Sequence, residues 1–306
     1  MMLNGSSTVV VHTQDAAGAP VTVAAKVRLV ANNAGSGLNG PGQYTATTKD
    51  GLATISGVAG GDYIVEVIAE GFRTAQTKLT VQGAMSKIDA VVKLVTFDGS
   101  EDPMQLEQPG EPPLNARARK DLELALAALA AGQPANAEPH VRDALKADAK
   151  NPDVHYVAGV YAERTNNGGE AQTQYEAGIA LYKDHFASQL SLGDMLLQAG
   201  FAADAIPHLE TALTVGPNSW RAHWLYAEAV LQANRDAAKA TEHANRALEL
   251  GKEKAVDAEI TLALAEAIDN KFDQAKARLE KFLQEHPNDP GAARAKQSLQ
   301  MLAPIH

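Results

Sequence analysis

Beyond residue 114, small residues recur at a spacing of 34 or 35 and leave little freedom in what the chain can become. Ala137, Ala171 and Ala205 are 34 apart, and Ala240 and Ala275 each follow at 35. Four residues after each stand Val141, Tyr175, Leu209, Ala244 and Leu279. Three further on come Ala144, Gly178, Ala212, Ala247 and Phe282. Upstream, Ala125, Gly159, Gly193, Ala227 and Ala263 form another column of small residues in the same register. A period of this length means that one supersecondary unit is repeated. No unit buries its apolar face alone, and stacking builds a continuous core contact by contact. A buried leucine contributes about 1.5–3 kcal/mol, so five stacked units offset a chain entropy that one could not. Composition agrees: hydrophobic residues reach 45% but aromatics only 5%, which favours many thin interfaces over one thick core.

These columns resemble the tetratricopeptide repeat, a helix-turn-helix unit of about 34 residues. Ser191-Leu192-Gly193, Ala205, Leu209, Ala212 and Pro217 make the third unit the closest match, and the fifth matches through Ala275, Leu279 and Pro287. The resemblance implies that a small residue in the first helix lets the second approach closely. Alanine in the second helix then lets the next unit stack. Asn151-Pro152, Gly216-Pro217 and His286-Pro287-Asn288 close units, whereas the second lacks a closing proline at Lys183. Lys239 and a one-residue insertion loosen the fourth unit. Pro290–Leu302 reads as a capping helix, with Arg294, Lys296 and Gln297 on its outer, wetted face. The expected C-terminal domain is thus an all-α solenoid of about five helix pairs plus a cap over residues 114–306.

Residues 1–96 follow a different rule. From Ser7 to Val95 apolar residues alternate with period two between glycine-rich turns, the pattern of short antiparallel strands. The expected strands are Thr8–Thr13, Val21–Val30, Tyr44–Thr48, Leu52–Ser56, Tyr63–Ala69, Thr74–Val81 and Ser86–Val95. Asp50-Gly51 is the strongest hairpin signal, and Tyr63, Val65, Val67 and Ala69 share one face. Asn32–Gly42 is too polar and glycine-rich to be anything but a loop. Seven short strands without a helical pattern predict an all-β sandwich. The run Asp15, Gly18-Ala19-Pro20-Val21, Asp50-Gly51, Ile55, Gly57-Val58, Gly61, Tyr63, Val67 and Gly71-Phe72 resembles the carboxypeptidase regulatory-like domain. That resemblance implies a transthyretin-like sandwich with no catalytic residues of its own. Between the two regions, residues 97–113 hold four prolines and five acids. No helix or central strand runs through such a segment, so it is expected to be an extended linker.

The net charge of -10 argues against nucleic-acid binding, which needs a concentrated basic surface. No run of about 18 apolar residues is present, so no membrane-spanning helix is expected. The first residues, MMLNGSSTVVVH, hold neither a basic start nor an apolar stretch, so no signal peptide is expected in this chain. Periplasmic, cell-surface or extracellular placement is expected only from the company that the sandwich family keeps. Zero cysteines remove thiolate nucleophiles and thiolate metal sites. Nine histidines invite a metal, but His208 and His243 occupy equivalent repeat positions, as do His155 and His223, so they report the repeat. No HExxH, phosphate loop or nucleophile elbow occurs, and neither an enzyme, a cofactor nor a metal is expected.

The resemblance places a concave surface on the first helices. One column in that register is Leu122, Tyr156, Leu190, Trp224 and Ile260; the next is Leu126, Val160, Asp194, Glu228 and Leu264. Arg164, Gln198 and Gln232 stand at the edge. The candidate partner-binding residues are therefore Tyr156, Arg164, Leu190, Asp194, Trp224, Glu228 and Ile260, forming an apolar stripe with two carboxylates. The function expected is a non-enzymatic scaffold that binds a protein or peptide segment in this groove. The alternative is a self-assembling subunit of an extracellular filament. It would form by head-to-tail contacts or strand exchange, with Thr8–Thr13 as the strand suspected of crossing.

Overall fold

The computed structural model describes residues 6–31, 44–69, 72, 75–82, 86–95, 106, 108, 111–112 and 114–302. The 31–42 loop, apart from Ala31, and most of the 97–113 linker lie outside the described residues. The chain divides into two compact units, one built on strands and one on helices.

The strands are β1 (Ser7–Gln14), β2 (Ala25–Ala31), β3 (Tyr44–Thr47), β4 (Leu52–Val58), β5 (Gly61–Ala69), β6 (Ala75–Val81) and β7 (Lys87–Lys93). They form two sheets, ordered β4-β1-β7 and β3-β2-β5-β6. Alternation decides what is buried: Val9, Val11, Val27, Leu29, Ile55, Tyr63, Val65 and Val67 point into the shared core. Tyr63, Val65, Val67 and Ala69 are all buried, as their spacing predicts.

Two expectations for this unit need correction. Asp50 and Gly51 do adopt positive φ, 52° and 79°, and Lys49 and Leu52 exchange both backbone hydrogen bonds. Yet β3 and β4 do not continue as a hairpin, because they enter different sheets. The arms are drawn apart by stronger claims: Thr48 N–H donates to Ala25 O on the β2 side, and Thr13 N–H donates to Gly51 O on the β1 side. The second correction concerns Thr8–Thr13. β1 is the middle strand of its sheet, antiparallel to β4 and parallel to β7. Its backbone is paired on both edges, so it offers no edge to a neighbouring molecule.

The helical unit consists of α1 (Ala116–Ala130), α2 (Pro134–Asp148), α3 (Pro152–Arg164), α4 (Gly168–Leu181), α5 (Phe186–Gln198), α6 (Ala202–Val215), α7 (Trp220–Asn234), α8 (Ala237–Gly251), α9 (Ala258–Ile268), α10 (Phe272–Glu285) and α11 (Ala292–Met301). These are five pairs and a terminal helix, with a short 3-10 turn at Lys252–Ala255 after α8. All four sequence columns are buried in every unit. The columns work by close approach. A methyl group on Gly159 of α3 would overlap the Tyr175 ring of α4, and one on Gly193 of α5 would lie 2.7 Å from Leu209 Cδ2 of α6. Tyr175 and Leu209 are themselves 0% exposed, so neither has room to retreat. Asn151 and Ser219 cap α3 and α7 with their side chains. Where the second unit lacks its proline, His185 caps α5 instead.

Gly159→Ala should therefore destabilise the helical unit by about 1–3 kcal/mol through overpacking. Gly168→Ala, at the start of α4 with nothing near the added methyl, should be neutral or stabilising by up to about 1 kcal/mol. Urea midpoints of the two variants check the contrast, and equal midpoints would refute close approach as the reason for the glycine.

Candidate partner-binding site

The apolar column expected to face solvent is mostly interior. Leu122, Leu190 and Ile260 are 0% exposed and Tyr156 is 2% exposed. Tyr156 packs beside Tyr175 and edge-on to His185, with ring centroids 6.2 and 6.0 Å apart. These residues, three of them named as partner-binding, are core residues, because each first helix turns that face onto its own second helix and the next unit. Trp224 is the exception in the column, being half-buried. Arg164 is exposed on α3, outside the cavity described next.

Asp194, Trp224 and Glu228 are brought together. They line a cavity of about 440 Å³ with Gln198, Gln232 and Arg294. The arrangement repeats: Gln198 Nε2 donates to Asp194 Oδ1 at 2.8 Å on α5, and Gln232 Nε2 donates to Glu228 Oε2 at 3.4 Å on α7. Asp194 and Glu228, like Gln198 and Gln232, are 34 residues apart, so successive units present the same acid and amide. Each acid also meets an arginine. Arg221 Nη2 lies 2.6 Å from Asp194 Oδ2. Burial works against the Arg221 charge, but the Asp194 carboxylate outweighs it and the guanidinium is held above its usual value. Arg294 Nη2, from α11, lies 2.7 and 2.5 Å from the two Glu228 oxygens, and Thr261 of α9 also donates to Glu228. Glu163 on α3 interacts electrostatically with Asp194 and Arg221; desolvation, with Asp194 adding to it and Tyr175 and the arginines opposing, raises its carboxyl above the usual range.

The sequence offers no signal for Arg221. It places Arg294 on the wetted outer face of the cap, whereas the guanidinium turns inward to Glu228. Lys296 and Gln297 are exposed as expected.

The histidines have a shared role at which their equivalent positions hint. Each helix pair is bridged by one polar contact between chain positions 19 or 20 apart. The contacts are Asp121–His140, His155–Gln174, Gln189–His208, His223–His243 and Glu259–Arg278. The fourth pairs two imidazoles, Nδ1 to Nδ1 at 3.0 Å. His223 Nε2–H donates to Pro217 O, which leaves its Nδ1 as the acceptor for a neutral His243. Desolvation lowers the pKa of both, with Arg246 adding to it at His223 and His223 and Lys239 adding to it at His243; Glu242 opposes at both.

Ser188, His185 and Asp153 stand in the order of a hydrolase triad, with Ser188 Oγ 2.7 Å from His185 Nδ1 and His185 Nε2 3.4 Å from Asp153 Oδ1. All three are fully buried. A methyl group on Gly178 would come 2.7 Å from Ser188 Oγ, so no space for a substrate exists there. The Ser188 N–H also donates to His185 Nδ1, which makes this a helix cap.

Stacked antiparallel helix pairs presenting a polar cavity on their first helices define an α-solenoid. Residues 122–185 and 190–255 match the family model of the tetratricopeptide repeat. A tetratricopeptide repeat protein from Parabacteroides merdae is 17% identical, with 61% of this chain and 74% of that chain covered at a TM-score of 0.50. MamA from Desulfovibrio magneticus RS-1, from its residue 41 onward, is 20% identical, with 58% and 99% covered and a TM-score of 0.49. YrrB, described as a TPR protein with an unusual peptide-binding site, is 17% identical, with 60% and 100% covered and a TM-score of 0.47. At such identities the likeness concerns the fold. The comparison with curated proteins gives no match. Among the described residues no helix is long and apolar enough to cross a membrane.

The paired histidines predict acid sensitivity. With both folded pKa values below the unfolded 6.5 or so, the unfolded chain takes up protons first. Stability is full above about pH 6.5 and falls as the pH drops toward the folded values. His243→Gln recreates the His155–Gln174 pair of the second unit and should shrink the loss of melting temperature between about pH 7.5 and 5.5. An unchanged loss would dismiss the pair as its source.

Proposed function

We propose that this protein is a non-enzymatic interaction scaffold whose repeat unit holds a peptide segment against the cavity formed by α5, α7 and α11. The observation that carries the reading is the repeated acid–amide pair, Asp194–Gln198 and Glu228–Gln232, beside half-buried Trp224. Amides spaced one unit apart suit an extended backbone, which exposes hydrogen-bonding groups at regular intervals, and tryptophan is a frequent anchor in interfaces. A peptide-binding site is also named for YrrB. The β unit, by its likeness to the carboxypeptidase regulatory-like domain, would serve as a non-catalytic spacer or second contact surface, and export of the whole protein fits that likeness.

The test is site-specific photo-crosslinking in cells, with a photoreactive side chain at Gln198 or, as control, at Thr214 on α6. Adducts are expected from position 198, not from 214, and should drop about tenfold when Trp224→Ala is added. Equal adducts from both positions, or none from 198, would defeat the concave-surface reading.

A further inference from the structure

Glu228 sits in the middle of α7 with 4% of its surface exposed. Burying a carboxylate is costly unless a cation or several donors face it. Its cation is supplied from outside the five helix pairs: Arg294 lies 66 residues further on, in the terminal helix. α11 also buries Ala292, Ala295 and Ser298, so Arg294 is not its only anchor. The Arg294 side chain remains 37% exposed and opens directly onto the cavity. Trp224 lines the same cavity, and its indole Nε1 is buried with no hydrogen-bond partner among the described residues. A buried donor without an acceptor is unusual in a finished core.

Building on the concave-surface reading above, we propose that Glu228 is a receptor for the guanidinium of an arginine in a partner peptide, and that Arg294 occupies it internally until displaced. Charge makes this ligand class the best fit. Asp194 and Glu228 are matched by Arg221 and Arg294, and Asp257 brings a further carboxyl within electrostatic reach of Arg294 and Glu228. A neutral ligand that moved Arg294 aside would strand a buried carboxylate, and an anion would do so with repulsion added. A guanidinium exchanges like for like, so Glu228 is never left unpaired. The released Arg294 moves further into the water it already touches. The planar fork of arginine matches a carboxylate more closely than the point charge of lysine does. Gln198 and Gln232, each committing an amide N–H to its acid, keep carbonyl oxygens for the peptide's own N–H groups.

The probe is a fluorescein-labelled pentapeptide, Ala-Ala-Arg-Ala-Ala, with lysine and citrulline versions, followed by anisotropy on the full chain. Arg294→Ala is expected to bind the arginine peptide about tenfold more tightly than the original protein does, and about tenfold more tightly than it binds the citrulline peptide. Adding Glu228→Gln should abolish that gain. If Arg294→Ala fails to fold, the unaltered protein still decides. Its tryptophan fluorescence should respond to high concentrations of arginine amide and not of citrulline amide, and a lack of difference would overturn the proposal. A gain that survives Glu228→Gln, or equal binding of arginine and citrulline peptides, would overturn it as well. Crosslinks from Gln198 that persist alongside such a failure would reject the guanidinium receptor alone. Loss of both would reject the concave surface too.

Discussion

Close approach between the two helices of each unit is the constraint on which the rest of the solenoid depends. Gly159 against Tyr175 and Gly193 against Leu209 leave no room for even one methyl group. Because the second helix sits so near, it covers most of the inner face of the first. Leu122, Leu190 and Ile260 fall under it and have no exposed surface. The polar side chains that line the cavity lie further round each first helix, at Asp194, Glu228 and the amides four residues after them. Tight packing thus decides which side chains of the first helices belong to the core and which line the cavity.

Holding two helices so close requires an abrupt reversal between them, and the backbone solves it in one way five times. Gly132, Asn166, Gly200, Arg235 and Asn270 all have positive φ, and each follows the first helix of its pair. Glycine and asparagine are the residues that tolerate this conformation with least strain. Arg235 is the outlier, and it falls in the unit where the spacing lengthens. The small-residue column of the first helices does not shift there, since Gly193 and Ala227 remain 34 apart while Ala205 and Ala240 are 35 apart. The extra residue therefore enters between Ala227 and Ala240, where α7 runs to Asn234 before the turn. The unit absorbs the insertion by lengthening a helix, and Arg235 takes the strained turn as a result.

The same contrast explains what the sequence reveals and what it hides. Columns of small residues, strand alternation and the equivalence of His208 with His243 are local, periodic facts, and each has a direct counterpart in the fold. The Asp50-Gly51 turn is legible as a turn. The parting of β3 and β4 into different sheets is not, since it is decided by the hold of Ala25 and Thr13 on the turn's flanks. The Tyr156 and Leu190 column reads as exposed in the sequence because apolar character alone does not distinguish a groove from the packing beneath it. The inward turn of Arg294 is hidden for another reason: its partner lies 66 residues away, and nothing periodic links a terminal cap to the middle of the array.

The polar bridges between paired helices show how a repeat can keep one geometry while changing its chemistry. Asp121–His140, His155–Gln174 and Gln189–His208 place imidazole against an oxygen acceptor, on either helix. Glu259–Arg278 replaces the imidazole with a guanidinium, which Glu266 also grips. Of these five bridges only His223–His243 uses two titratable bases, so this pair depends on neutrality in a way the others do not. Protonation of both rings would set like charges 3.0 Å apart between α7 and α8. α7 is also the helix that carries Trp224 and Glu228. An acid-induced loosening of its grip on α8 would therefore reach the cavity through a single rigid element, with no longer chain of contacts needed.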